Sequence, residues 1–155
     1  MTTKLTWVLA HEPYDLFLRA AEKFSKEVSE KTEGAFEIEI LGLQEYADKY
    51  AEGKTINNRF ELLELLESGK VQMSQMYTTW LAETYAPDLL AFEMPFIFRD
   101  HDHATRVLDG DIGRSLLDSL QKNTPVHGLA FTYSGGYRCL ASDRPINSID
   151  DLKGI

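Results

Sequence analysis

Residues 5–40, LTWVLAHEPYDLFLRAAEKFSKEVSEKTEGAFEIEI, decide the fold. They open on Leu5-Thr6-Trp7-Val8-Leu9-Ala10, a nearly continuous apolar run of strand length. A strand covered on both faces needs such a run, so a central parallel strand is predicted here. After the turn-like His11-Glu12-Pro13, the apolar residues Phe17, Ala20, Ala21, Phe24 and Val28 recur at spacings of three and four. That period places one apolar stripe on a helix from about Tyr14 to about Lys31. Thr32-Glu33-Gly34 breaks it, and Phe36, Ile38 and Ile40 then alternate with Glu37 and Glu39, as in a half-buried strand. Strand, helix, strand is the building block of an open α/β sheet with flanking helices.

The pattern continues outward from this unit. Gly42 to Asn58 is polar and reads as a long loop or a short, exposed helix. Arg59 to Ser68 predicts a helix whose apolar residues are Phe60, Leu62, Leu63, Leu65 and Leu66, with Gly69 at the C-terminal stop. Val71 to Met76 alternates as a third strand. Beyond Phe96-Ile97-Phe98, helices are predicted over His103–Leu108 and Asp111–Lys122, and strands over Val126–Tyr133 and Tyr137–Ala141. Ser148-Ile149-Asp150-Asp151 carries a helix start, with Ser148 as cap and Asp151 three residues on.

Composition narrows the function classes. A formal charge of -9 argues against nucleic acid, because neutralising phosphates needs a basic face. No apolar run approaches the ~20 residues that a membrane-spanning helix requires. Met1-Thr2-Thr3-Lys4 passes into a strand-like segment without the basic start and apolar run of a signal peptide, which fits a cytoplasmic protein or a mature form. The single cysteine, Cys139, excludes an intrachain disulfide.

Few residues stand out chemically. Arg138 follows Gly135-Gly136, where the backbone can approach closely and a guanidinium can offer two parallel donors to a carboxylate. Tyr77 and Trp80 lie just past the third strand and His11 past the first, and ligands of open α/β sheets bind beyond the carboxyl ends of strands. His101 and His103, interleaved with Asp100 and Asp102, read as the polar entry to a helix rather than as a metal site. Cys139 with His127 lacks any nucleophile signature, and Cys139 reads as a buried small hydrophobe. There is no glycine-rich phosphate loop and no Gly-x-Ser-x-Gly elbow.

Several local patterns agree in order and spacing with one family. They are Ala20-Ala21-Glu22-Lys23-Phe24 with Lys31-Thr32-Glu33-Gly34; Leu63 to Leu66 with Ser68-Gly69; Ala86-Pro87-Asp88 through Met94-Pro95-Phe96-Ile97-Phe98; and Gly136-Tyr137-Arg138 through Pro145-Ile146-Asn147-Ser148 to Asp151-Leu152-Lys153-Gly154. On these the chain resembles the solute-binding proteins of tripartite ATP-independent periplasmic (TRAP) transporters. The resemblance implies a periplasmic-binding-protein-like α/β fold that closes over a small organic acid and hands it to a TRAP membrane permease. It implies a periplasmic, non-enzymatic protein with no cofactor and no metal. Residues 1–133 would form most of a first domain, and 134–155 the crossing segment and the start of a second. Arg138 matches the family arginine that clamps the ligand carboxylate, and His11, Arg59, Tyr77 and Trp80 fall where the family places pocket residues.

Two departures accompany the match. Leu43 to Asn58 is longer than the turn usual there, and Ile155 precedes the strand that carries the family's second arginine. A 155-residue piece is therefore expected to bind solute weakly or not at all, its uncovered apolar faces favouring self-association, strand swapping or partial disorder. The competing readings are an interaction domain on a truncated binding fold and a small enzyme using Cys139 or a histidine.

Overall fold

The computed structural model describes residues 2–11, 15–54, 56, 59–137 and 139–154, without the Arg59 side chain. Its elements are β1 (Thr3–Leu9), α1 (Asp15–Lys31), β2 (Phe36–Gly42), α2 (Leu43–Tyr50), α3 (Arg59–Glu67), β3 (Met73–Gln75), α4 (Thr78–Thr84), α5 (His101–Leu108) and α6 (Asp111–Leu120). Two 3-10 segments, Pro87–Glu93 and Ile149–Leu152, complete the order.

The sheet has three strands in the order β2-β1-β3. Both pairings are parallel, with Thr3 beside Phe36 and Leu9 beside Gly42 on one side, and Trp7 beside Met73 and Leu9 beside Gln75 on the other. The predicted central parallel strand is thus β1. At the carboxyl end of its apolar run successive side chains are buried on opposite faces, while Leu5, Thr6 and Trp7 are only half-buried. Leu9 packs with Phe17 and Ala21 of α1, whereas Val8 packs with Tyr46, Leu62 and Val71 on the other side. Val8 and Leu9 are both fully buried.

α1 buries Phe17 and Ala21, the heart of its predicted stripe. It ends where Gly34, at φ +77, donates its N–H to the Ser29 carbonyl at 2.8 Å. That left-handed cap suits glycine, which has no Cβ to strain. The return into β2 is then immediate, and Thr3 N–H donates to the Ala35 carbonyl at 2.8 Å.

The structure departs from the sequence pattern in α2, in α4 and in the segments 126–133 and 137–141. Leu43–Tyr50 is a helix, but not an exposed one, since Tyr46 and Ala47 are buried against the sheet. The Glu45 carboxylate accepts the Gly42 N–H at 2.7 Å and so starts α2 directly at the end of β2. Helix α4 was not predicted at all. The described residues of 126–133 and 137–141, the latter including the expected crossing strand, make no ladder. In the first of these, Phe131 packs into a separate cluster with Ala82, Ala86, Leu89 and Leu120, and Gln75 reaches Thr132 Oγ1 at 2.7 Å through its side chain. Apolar residues there are used against helices, and the backbone is left unpaired with β3.

Candidate functional site

β1 and β3 are neighbours and run in the same direction, so their carboxyl ends deliver their following residues to one place. His11 arrives from β1, and Tyr77 arrives from β3 as the residue before the first turn of α4. Trp80 lies in that first turn, facing back. The His11 and Tyr77 rings meet edge to face with centroids 3.9 Å apart. Trp80 stacks on His11 at 5.3 Å with only 8° between the planes, and Tyr77 meets Trp80 at 5.3 Å and 84°. Phe17 of α1 closes the other side of the imidazole at 5.1 Å.

His11 is 8% exposed, and neither Nδ1 nor Nε2 has a hydrogen-bond partner among the described residues. Burial in this aromatic setting pushes its pKa down, because desolvation disfavours the imidazolium. A neutral ring carries one donor and one acceptor nitrogen. Tyr77, by contrast, is 42% exposed and forms the rim.

Gln75 is a member of this place that sequence reasoning missed. It pairs with Leu9 and so shares the α1-facing side of the sheet with it. Its Nε2 donates to Thr132 Oγ1, while its Oε1 is buried without a partner among the described residues. A signal was present: in Val71-Gln72-Met73-Ser74-Gln75-Met76 the alternation calls for an apolar side chain at 75, and a polar one at such a position is informative.

Of the five expected ligand residues, the structure brings His11, Tyr77 and Trp80 together. Arg138 and the side chain of Arg59 lie outside the described residues; the Arg59 backbone begins α3. Next to Arg138, Tyr137 leans on His101 at 4.7 Å, and Tyr133 shares a hydrogen bond of 3.0 Å with Thr105 Oγ1. These contacts hold both sides of Ser134-Gly135-Gly136 against α5. Asp100 caps α5 by accepting the His103 N–H at 2.7 Å, in keeping with the polar-entry reading of that segment. Cys139 is exposed, which corrects its reading as a buried hydrophobe. The described residues contain no cluster able to hold a metal ion and no helix long and apolar enough to cross a membrane.

The family model of DctP, bacterial extracellular solute-binding protein family 7, matches residues 10–155. The C4-dicarboxylate-binding protein DctB of Bacillus subtilis is 32% identical over 135 residues, covering 87% of this chain and 35% of that protein. Among solved structures, a TRAP periplasmic solute-binding protein from Pseudomonas putida F1 with bound D-glucuronate superposes with a TM-score of 0.67 at 26% identity, over 98% of this chain and 46% of that one. Another from Sulfurospirillum deleyianum, with bound succinate, gives 0.61 at 25% identity over 79% and 36%. The chain therefore spans between about a third and a half of the length of the proteins it matches.

Proposed function

Since the chain belongs to the bacterial extracellular solute-binding proteins of family 7, we propose that it contributes the carboxylate-binding part of a TRAP-type binding protein. The bound solute is a small organic acid, which the protein carries outside the cytoplasm to a TRAP membrane permease. The family consists of transport binding proteins rather than enzymes. The observation that carries the reading is the meeting of His11, Tyr77 and Trp80 beyond the carboxyl ends of two adjacent parallel strands. That is where open α/β sheets bind ligands.

Arg138 supplies the charge. Its guanidinium is permanently ionised and presents two parallel donors to a carboxylate, and the Gly135-Gly136 pair before it leaves room for close approach. The aromatic residues His11, Tyr77 and Trp80 give the cleft an apolar wall in this reading. Residues 1–133 belong to the first domain in this reading, and 134–155 lead into the second. Arg59 is placed at the pocket margin by the resemblance alone. The exposed apolar side chains Met94, Phe96, Leu129, Leu140 and Ile149 give the isolated 155 residues surfaces through which to self-associate.

A thermal-shift screen of the full gene product against mono- and dicarboxylates, sugar acids and keto acids tests this reading. At least one acid should raise the melting temperature, and Arg138→Ala should weaken its binding by about 2–5 kcal/mol, the cost of removing one partner of a buried charge pair. Stabilisation by no acid would sink the reading. Undiminished binding by the variant would remove Arg138 from it.

A further inference from the structure

One face of α5 holds the turn that leads into Arg138. His101 and Thr105 are four residues apart on that helix and so lie on the same side of it. The His101 ring meets Tyr137 at 4.7 Å and Tyr133 at 5.5 Å, the latter edge to face at 85°. Thr105 Oγ1 adds its 3.0 Å hydrogen bond with the Tyr133 hydroxyl. The two tyrosines bracket Ser134-Gly135-Gly136, and Arg138 is the next residue in the chain. Building on the reading above in which Arg138 anchors a carboxylate, we infer that His101 is a positioning residue for solute binding. It touches no solute; through Tyr133 and Tyr137 it fixes the backbone that enters Arg138.

The turn has little else to fix it. Gly135 stands at φ +150, a positive value that suits glycine, and a Cβ added to Gly135 or Gly136 would meet nothing within 4 Å. Packing does not wedge this backbone in place, and glycine loses more conformational freedom on ordering than any other residue. A guanidinium fork, however, pairs both of its donors with a carboxylate only from a fixed approach. With the contacts to α5 in place the turn is ordered before the solute arrives; without them, that ordering cost is subtracted from affinity. The helix is a firm base for this purpose. Asp100 caps its first turn by accepting the His103 N–H at 2.7 Å, and Ala104 is buried beneath it.

The side chains involved lie at the surface, Tyr133 being 43% and Tyr137 49% exposed, so substitution of His101 leaves the hydrophobic core untouched. The effect is therefore read in binding rather than in folding.

A double-mutant cycle measured by isothermal titration of the full gene product against succinate, pyruvate, D-gluconate and D-glucuronate tests the assignment. His101→Ala should weaken the tightest-binding acid about tenfold, whereas His101→Phe, which keeps a ring against both tyrosines, should stay within about threefold of the parent. In an Arg138→Lys background, where a flexible ammonium has no fork to orient, the loss from His101→Ala should shrink to about twofold or less. Hydrogen exchange of the solute-free protein should show faster amides at Gly135, Gly136 and Tyr137 in His101→Ala, with those of β1 unchanged. If His101→Ala does not fold, Tyr133→Phe, which removes only the hydroxyl bonded to Thr105, should still weaken binding by about two- to threefold. No loss in His101→Ala, or an equal loss in both backgrounds as a merely structural contribution would give, would overturn the positioning role while leaving the carboxylate reading standing. Undiminished binding by Arg138→Ala, or failure of every acid to bind, would overturn both.

Discussion

At the scale of single residues, His11 is an imidazole held where its charged form is costly. Its lowered pKa has a definite consequence for stability. In the unfolded chain the ring takes up a proton near its ordinary value of about 6.5, and in the folded chain burial resists that proton. Stability is therefore full above about pH 6.5 and declines as pH falls below it. The carboxylates of Glu39, Asp100 and Asp151 are also shifted down, first by Lys49, Arg99 and the Asn147 N–H respectively, and they contribute their own loss only at more acid pH. Urea midpoints measured at pH 7.5 and 5.5 should differ in the parent and differ less in His11→Phe. At pH 7.5 the variant should be the more stable by about 1 kcal/mol, because two buried unpaired nitrogens are gone. A destabilised His11→Phe with an unchanged acid limb would show that the ring is satisfied in some other way. His11, Tyr77 and Trp80 were legible in the sequence because each follows a strand end. Gln75 was not, because its side chain gains meaning only from the register of β3 against β1.

Among elements, the packing makes sharp demands at two places. α5 and α6 meet at a corner so close that a Cβ on Gly113 would lie 1.9 Å from the Leu108 carbonyl oxygen. The obstacle is backbone, so it cannot rotate away. Gly113→Ala should cost about 3 kcal/mol or more, at or beyond the usual range for overpacking, and a urea midpoint within error of the parent would contradict this geometry. Leu62 of α3 is fully buried against β1 with Val8, Tyr46 and Val71. Leu62→Ala should cost about 2–5 kcal/mol by denaturant titration, and a loss below 1 kcal/mol would mean that this cluster is poorly packed. The β1-α1-β2 unit was readable because its periods are long and its breaker, Gly34, adopts the positive φ that its position suggests. Residues 126–133 misled because alternation records only which side chains are apolar. Here the apolar side chain of Phe131 faces a helix cluster, and nothing in the local pattern distinguishes that from a sheet face. Helix α4 was hidden for a related reason: seven residues are too few to display a helical period.

The molecule as a whole joins a central strand buried at its carboxyl end, at Val8 and Leu9, to a segment with much apolar surface, Phe96 being 99% exposed. Sedimentation velocity of the 155-residue chain should show average mass rising with concentration, and a monomer at every concentration would contradict the self-association proposed for it. At this scale the meeting point of β1 and β3 is proposed as one wall of an acid-binding cleft, with Arg138 as its anchor. A crystal structure of the full gene product, soaked with the acid that stabilises it most, tests this directly. One carboxylate of that acid should pair with the Arg138 guanidinium, with its remaining atoms against Tyr77 and within hydrogen-bonding distance of His11. An acid bound elsewhere, with Arg138 turned away and His11, Tyr77 and Trp80 untouched, would contradict it.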